Sequence, residues 1–289
     1  MRKKQTFLYF IVMFCLALGL TYFTEQDTVL ITNHPDKAAS EPMAVHYIDV
    51  GQADSTYIKL PDGKHLLIDS GEYDDGPVVA DYLEKQGVQR LDYVVATHPH
   101  EDHIGGMSYI LEYFGADILY MPDAYSNTKV FERLLDTIEN NNIKTIQAKN
   151  GVEISSSDTL KIDILSPVSP EYDDLNDYSA VVRITYGDTR FVFMGDAEKT
   201  VEKELLSSAT DLGADVIKIG HHGSSTSSSK SFIKAVNPSV AIISVGADNS
   251  YGHPGKDTLA LLKDMNITTL RTDINGTVVV GSDGKGITY

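Results

Sequence analysis

The chain alternates between short apolar runs and polar turns over most of its length. In the first half, strand-like runs alternate with segments of helical spacing, which is typical of an α/β domain. The second half turns to shorter runs rich in β-branched residues, which favour strands. The predicted strands are residues 44–50, 55–60, 64–69, 91–96, 117–121, 152–154, 160–165, 180–186, 190–194, 215–220, 240–245, 267–271 and 277–280. The predicted helices are residues 77–86, 104–114, 129–140, 198–207 and 258–265.

The amino-terminal segment has a different pattern. Arg2, Lys3 and Lys4 precede residues 6–23, a run of 18 uncharged and mostly apolar positions. As a helix, this run would span about 27 Å, which is close to the thickness of a bilayer core. We therefore expect residues 1–24 to form an uncleaved membrane anchor, with a cleaved secretory signal as the alternative. In either case the basic triplet stays inside and the rest of the chain is exported.

Residues 25–42 are polar and contain two prolines, which predicts a linker between the membrane and the domain. Residues 43–289 then form the folded domain, which we expect outside the cytoplasm, either anchored or secreted. Cys15 is the only cysteine, so the exported domain has no intramolecular disulfide. Its stability must come from its hydrophobic core and from any metal that it binds.

The composition is that of an acidic globular protein. Hydrophobic residues make up 42% of the chain, and the net charge is −17. The first 24 residues contribute three positive charges and no negative ones, so the remaining chain carries a net charge of −20. No cluster of lysine or arginine interrupts this balance. Such a surface repels phosphate backbones, which argues against tight, extended binding of nucleic acid.

A loop with a high density of histidines follows the predicted strand at residues 91–96. It contains His98, His100, Asp102 and His103, at the carboxyl end of a strand, where α/β proteins bind their ligands. Imidazoles and carboxylates are ligands that zinc and related ions prefer. A solvated polar loop is the alternative interpretation, but the regular spacing favours a metal site.

Three more apolar strands deliver polar side chains at their ends. Asp69 ends one of them, Asp196 follows the second, and His221 and His222 follow the third. Taken alone, Asp69 could instead cap a turn, and Asp196 could cap the predicted helix at residues 198–207. Because these polar residues lie at the ends of successive strands, we expect them to form a common site.

Together these segments resemble the metallo-β-lactamase superfamily and, within it, the hydrolase domain attached to the DNA-uptake channel protein ComEC. The histidine loop is specific for the superfamily, and the ordered set of motifs narrows the likeness to the ComEC-like branch. The likeness runs from about residue 45 to residue 289. The motifs that carry it are residues 49–55, 67–71, 97–106, 193–196, 221–224 and 251–254. The resemblance implies an αββα sandwich of two mixed sheets, and thus the α/β class.

The resemblance also implies a binuclear metal site. The implied ligands are His98 and His100 for the first metal, Asp102, His103 and His221 for the second, and Asp196 between the two. Asp69 matches the position that orients a ligand histidine from behind, as a carboxylate that accepts an imidazole N–H can do. Asp54 is likewise expected to orient a ligand histidine, although this chain has Ala53 where the family usually has glycine.

Further residues of these motifs are expected to contact substrate. Asp102 and His253 are the expected catalytic residues, with His253 donating a proton to a leaving group or binding a phosphate oxygen. His222 is the less favoured metal ligand and, with Ser224 and Ser225 of the hydroxyl-rich segment that follows, a candidate for substrate binding.

One feature departs from the wider superfamily, in which many members supply a third histidine to the first metal. No histidine lies between His103 and His221 here, so Asn176 or Asp177 is expected to supply an oxygen ligand instead. A site with fewer imidazoles is less selective for zinc, so we expect two zinc ions, with manganese as the alternative. The missing histidine also disfavours hydrolysis of β-lactams and other amides.

The function that this likeness implies is hydrolysis of a phosphodiester. Two metals about 3.5–4 Å apart clamp both oxygens of an in-line displacement and lower the pKa of a bridging water to about 7. The acidic balance favours a small or short phosphodiester substrate. The alternatives are a nuclease that acts on extracellular DNA and a metal-stabilised binding module without activity.

Overall fold

The computed structural model describes residues 42–208 and 210–289, which form two β-sheets packed face to face. The strands of the first sheet are β1 (Met43–Tyr47), β2 (Thr56–Lys59), β3 (His65–Ile68), β4 (Leu91–Val95), β5 (Ala116–Met121), β6 (Lys144–Gln147), β14 (Val278–Ser282) and β15 (Ile287–Thr288). The strands of the second are β7 (Glu153–Ser156), β8 (Leu160–Ser166), β9 (Val181–Tyr186), β10 (Thr189–Phe193), β11 (Val216–Lys218), β12 (Val240–Ile243) and β13 (Thr268–Arg271).

Helices cover the outer faces of both sheets. They are α1 (Gly76–Lys85), α2 (Glu101–Ile104), α3 (Met107–Phe114), α4 (Lys129–Asn140), α5 (Lys199–Ser207), α6 (Lys230–Val236), α7 (Lys256–Asp264) and α8 (Thr272–Asn275). One apolar core, which includes Val45, Ile164 and Phe193, lies between the sheets. Two further cores lie between each sheet and its helices. The predicted αββα sandwich is therefore confirmed.

Each sheet is mixed. The carboxyl ends of the parallel strands of both sheets lie together, at what we call the common edge. In the first sheet, strands β3 to β6 are parallel and run in the order of the sequence. In the second sheet, strands β10 to β13 are parallel in the same manner. The two sheets are joined here by a hydrogen bond from the Ala180 amide to the Thr97 carbonyl, 2.9 Å long. The loops after these strands therefore meet where ligand sites are expected.

The helix predicted over residues 104–114 is wrong in its extent, because it is two helices, α2 and α3. Gly105 and Gly106 separate them. A β-carbon on Gly105 would lie 2.3 Å from the backbone nitrogen of Tyr73, and one on Gly106 would lie 2.4 Å from the Ser70 carbonyl oxygen. The two glycines thus allow the histidine loop to pack directly against the segment that follows β3.

The anchor predicted at residues 1–24 and nearly all of the linker at residues 25–42 lie outside the described residues. Among the helices that the structure does describe, none is long and apolar enough to cross a membrane.

Candidate metal centre

The loops at the common edge bring most of the predicted ligands together. The histidine loop follows β4, and the segments that carry Asp196 and His222 follow β10 and β11. His103, Asp196 and His222 are at most 2% exposed, so their polar atoms depend on one another and not on bulk solvent.

His98 and His100 form a pair of imidazoles with two ring nitrogens facing one another. Nε2 of His98 lies 2.9 Å from Nδ1 of His100. The other nitrogen of His98 faces two hydroxyls, at 3.2 Å from Thr97 Oγ1 and 3.4 Å from Ser179 Oγ. These hydroxyls fix the His98 ring, so both facing nitrogens are available to one cation.

A second group of ligand atoms lies beside this pair. Asp102, His103, Asp196 and His222 each offer one ligand atom, and these atoms all lie within 4.8 Å of one another. Nε2 of His103 is 3.2 Å from Asp196 Oδ1, and Nε2 of His222 is 3.2 Å from Asp102 Oδ2. Two imidazoles and two carboxylates in this arrangement suit zinc or a similar divalent ion.

The structure places His222, and not the predicted His221, inside this group. Both residues have φ near +50°, so the chain turns sharply after β11 and their side chains diverge. Nδ1 of His221 lies 3.0 Å from Glu198 Oε1. The Nε2 atoms of His221 and His222 lie 3.8 and 3.7 Å from Asp196 Oδ2, but that of His222 is also 3.2 Å from Asp102 Oδ2. The geometry therefore favours His222 as the ligand and assigns His221 to the cavity wall.

Asp69 supports the metal centre from behind. Its Oδ2 lies 2.8 Å from Nδ1 of His103. The same carboxylate accepts hydrogen bonds from the amide and the hydroxyl of Thr97, at 2.8 and 2.7 Å. This contact orients Nε2 of His103 toward Asp196, as a carboxylate behind a ligand histidine does.

Asp54 lies behind the centre as well, but it is paired with a buried lysine. Nζ of Lys218 forms an ion pair with Asp54 Oδ2, and both side chains are about 97% buried. Asp54 Oδ1 is 3.5 Å from Nδ1 of His222, which in turn lies 2.9 Å from the Ser244 carbonyl oxygen. Asp54 thus contacts the second ligand histidine, while Asp69 contacts the first.

The residues present fit a bound metal, because three buried ligand atoms make no well-formed hydrogen bond among the described residues, although two of them, on His103 and Asp196, lie 3.2 Å apart as an ion pair. These atoms are Nε2 of His103, Oδ1 of Asp196 and Oδ1 of Asn176. A buried polar atom without a partner costs about 1–3 kcal/mol, and more when it is charged. A cation at the centre would satisfy all three.

Asn176 and Asp177, the two candidate oxygen ligands, differ in their hydrogen-bond partners. Asn176 lines the cavity in front of the centre with its unpartnered oxygen. Asp177 Oδ1 instead accepts a hydrogen bond of 3.2 Å from the Glu198 amide, which precedes α5. The carboxylate of Asp177 is thus occupied at a helix amino terminus, where it also offsets the helix dipole. Asn176 is the better placed oxygen ligand.

The charges of the centre reinforce one another. Burial opposes ionisation of Asp196, but His103 and His222 outweigh it and hold its pKa well below the usual range. Burial also opposes the charged form of His103, yet Asp196, Asp102 and Asp69 raise its pKa well above the usual value. A cation at His103 would therefore displace a proton from this ring, so metal binding there would release protons.

A cavity of about 480 Å³ opens in front of the metal centre. Its walls include His253 and Tyr251, which follow β12, and it contains no lysine or arginine among the residues described. Its lining residues are Gln52, Glu72, His100, Glu101, Asp102, Asn176, Asp196, His221, His222, Tyr251 and His253.

Ser224 and Ser225, which are predicted to contact substrate, lie outside the lining of this cavity. Ser224 Oγ lies 2.9 Å from Thr226 Oγ1, and the Ser225 carbonyl accepts a hydrogen bond of 2.7 Å from Lys199. The segment thus folds back on itself after His222, and these two serines are not among the lining residues.

His253 lies at the cavity wall in a neutral form at pH 7. Burial and the neighbouring His221 and His222 lower the pKa of His253 below its usual value. A neutral imidazole N–H donates a hydrogen bond to an anionic oxygen, but it is a weaker proton donor than an imidazolium.

Comparisons with known proteins give matches over most of the described chain. A model of the metallo-beta-lactamase superfamily matches residues 48–247. ComE operon protein 3 of Bacillus subtilis is 32% identical over 251 residues, which cover 81% of this chain and 32% of that protein. Competence protein ComA of Neisseria gonorrhoeae is 28% identical over 261 residues, which cover 89% of this chain and 35% of that protein. The chain therefore spans about a third of the length of these relatives.

Solved structures show the same fold. The metallo-beta-lactamase fold protein YhfI of Bacillus subtilis superimposes with a TM-score of 0.53 at 16% identity, over 80% of this chain and 96% of that one. Igni18, a metallo hydrolase of Ignicoccus hospitalis, gives a TM-score of 0.52 at 18% identity, over 82% and 98%. The family model matches most of the chain, the solved structures share its fold, and the competence proteins are similar in sequence. This chain therefore belongs to the metallo-β-lactamase superfamily.

Proposed function

We propose that this protein is a phosphodiesterase that acts outside the cytoplasm and uses two divalent cations held in the metal centre. The observation that carries the proposal is the convergence of buried imidazoles and carboxylates whose ligand atoms lie within 4.8 Å of one another, beside an Asn176 oxygen that has no hydrogen-bond partner among the described residues. A binding module that needed no cation would not be expected to retain these buried polar groups, because each costs stability.

The proposed ligands form two groups that share one carboxylate. The first cation is held by His98, His100 and Asn176, the second by Asp102, His103 and His222, and Asp196 lies between them. Zinc is the expected ion. Manganese is the alternative, because an amide oxygen in place of a third imidazole makes the first position harder in character.

The chemistry of the pair suits transfer of a phosphoryl group to water. Two bound cations polarise the phosphoryl oxygens and bring the pKa of a bound water near 7. Burial opposes ionisation of Asp102, but its contacts with His103 and His222 keep its pKa below the usual range, so it is available as a carboxylate. His253 can donate a hydrogen bond to a phosphoryl oxygen from the cavity wall.

We propose a small or short substrate, because the chain offers phosphate little positive charge beyond the cations. The cavity has no basic side chain in its described lining, and the chain after residue 24 has a net charge of −20. Long nucleic acid is held by many lysine and arginine contacts. Cleavage of extracellular DNA remains a second candidate, which the similarity to competence proteins favours.

We first expect the two adjacent histidines to differ in their effect on metal content. Replacement His222→Asn removes a ligand nitrogen, so the protein should lose about one equivalent of bound metal per chain. The matched variant His221→Asn should retain both equivalents, since His221 contacts Glu198. Elemental analysis of the two purified proteins measures this. The opposite result, with loss only in the His221 variant, would restore the ligand set predicted from the sequence.

The second prediction concerns the shared carboxylate. Asp196→Ala should remove the bridge, lower metal content and reduce hydrolysis of bis(p-nitrophenyl) phosphate by at least about 1,000-fold, because both cations lose a ligand. Asp188→Ala, in the exposed turn between β9 and β10, is the control and should change neither. If the wild-type protein binds metal yet hydrolyses no phosphodiester in a broad panel, the binding-module alternative holds.

The third prediction concerns location. Because residues 6–23 are apolar and follow three basic residues, the domain should lie outside the cytoplasmic membrane. Protease added to intact cells should digest the domain or release it, whereas a cytoplasmic marker protein stays intact. Digestion that occurs only after lysis would reverse the proposed topology.

A further inference from the structure

A row of aromatic rings leads from the metal centre to the mouth of the cavity. The ring of His222 is 6.2 Å from that of His221, and His221 is 5.6 Å from His253, both with steep interplanar angles. Tyr251 then stacks on His253 with ring centroids 5.9 Å apart and an interplanar angle of 18°. The side chain of Tyr251 is 72% exposed, so its outer face is open to a ligand.

The side chain of Asn249 holds the loop that carries Tyr251 and His253. Asn249 accepts a hydrogen bond of 3.0 Å from the His253 amide and donates one of 2.7 Å to the His253 carbonyl. Its side-chain amide also donates to the Gly246 carbonyl at 3.0 Å. A ring presented on such a loop loses little conformational entropy when a ligand stacks on it.

The part of the cavity wall formed by Glu72 and Glu101 carries negative charge. Burial, and then the nearby carboxylates of Asp75, Asp102 and Glu101, raise the pKa of Glu72. Additional phosphates would be repelled along this wall, whereas an uncharged planar group can lie along the row of rings.

Resting on the proposed function, we propose that Tyr251 forms a stacking subsite for a nucleobase attached to the scissile phosphate. The substrate would then be a nucleotide diester with few phosphates, such as a dinucleoside monophosphate, and not a polyol phosphate of the cell-wall type. Stacking on an aromatic ring tolerates any base, because every base presents a π-face. Tyr251 therefore determines substrate class without reading sequence.

The test compares Tyr251→Leu and Tyr251→Phe with the wild-type full-length protein, supplied with manganese. For hydrolysis, kcat/KM is measured on a dinucleoside monophosphate and on glycerophosphoglycerol. For binding, calorimetry compares deoxyadenosine 5′-monophosphate with glycerol 3-phosphate, which needs no turnover. Tyr251→Leu should lower dinucleotide kcat/KM and nucleotide affinity about 5- to 150-fold, the range of one base–aromatic stack. Tyr251→Phe should keep both, and the glycerol compounds should respond to neither change.

The outcomes separate the two proposals. If the wild-type protein hydrolyses no diester but Tyr251→Leu still loses selective nucleotide affinity, the proposed function fails and the stacking subsite stands. If diesters are hydrolysed and Tyr251→Leu behaves as wild type toward both classes, the subsite fails and the proposed function stands. Equal losses on nucleotide and glycerol compounds would also overturn the subsite, because they indicate a general change in the cavity.

A second inference comes from the buried ion pair, and it does not depend on the reaction. Asp54, Asp69 and His103 form another group whose ligand atoms lie within 4.8 Å of one another. Asp54 Oδ2 is 3.8 Å from Nδ1 of His103, and the ammonium of Lys218 contacts the same oxygen. Lys218 also donates a hydrogen bond of 3.4 Å to the Ile219 carbonyl, which fixes the ammonium at the end of β11.

We propose that Lys218 is a positioning residue that supplies the resident cation of this rear group. Its charge holds Asp54 against the rear faces of His103 and His222, and it excludes a divalent ion from the rear group. The chain can therefore gather four carboxylates around two histidines while cations from solution are admitted only at the front.

Lys218→Met, which keeps the length of the side chain without its charge, tests this inference. The matched control is the double variant Asp54→Asn with Lys218→Met, in which both charges are absent. Elemental analysis after equilibration with manganese or zinc should show about one more ion per chain in the single variant than in the wild type. The double variant should not gain this ion. After chelation, the melting temperature of the single variant should fall, and the double variant should recover most of the loss.

Recovery of folding by the double variant also supports the inference if the single variant fails to fold. The inference is overturned if both variants fail to fold alike, because Lys218 would then act only by packing. It is also overturned if the single variant folds, binds the same number of ions as the wild type and melts with it.

Discussion

The structure depends on a cluster of imidazoles and carboxylates that is buried at the joint between two sheets. Burying such groups is unfavourable unless each polar atom finds a partner. Here the loops after β4, β10 and β11 converge, and Nε2 of His103 lies 3.2 Å from Oδ1 of Asp196 without a well-formed hydrogen bond. A cation that bound between these groups would stabilise the folded state, because it would bind the native chain and not the unfolded one.

Compensation of charge divides the cluster into a rear and a front. At the rear, Lys218 is built into β11 and pairs with Asp54, where solvent does not reach. At the front, Asp102 and Asp196 line the cavity, which is open to solution. Asp69 connects the two, because it binds the Nδ1 side of His103 while the Nε2 side faces Asp196. The buried ammonium of Lys218 is therefore a permanent charge at the rear, whereas a cation bound at the front would come from solution.

Much of this arrangement follows from the sequence, since long apolar runs and strand-end motifs are local signals. Short elements such as β6 and α6 were not predicted, because four to seven residues carry too little periodicity. The choice between His221 and His222 depends on two left-handed residues after β11, which turn adjacent side chains apart. The choice between Asn176 and Asp177 depends on contact with α5, which is distant in sequence. Tertiary contacts decide such points, and a local pattern does not contain them.

The acidic composition favours a short phosphodiester substrate, whereas the likeness to competence proteins favours long nucleic acid. The short range of electrostatic interactions in salt bears on this difference. At physiological ionic strength a surface charge is screened over about 8 Å. In the proposed reaction, a single phosphate next to cations at Asp196 would interact with them more strongly than with the distant surface. Further phosphates in the cavity would meet Glu72 and Glu101, with no basic side chain among the described lining residues to offset them. On the proposed function, the centre would therefore favour a substrate with one phosphodiester over a chain with many phosphates.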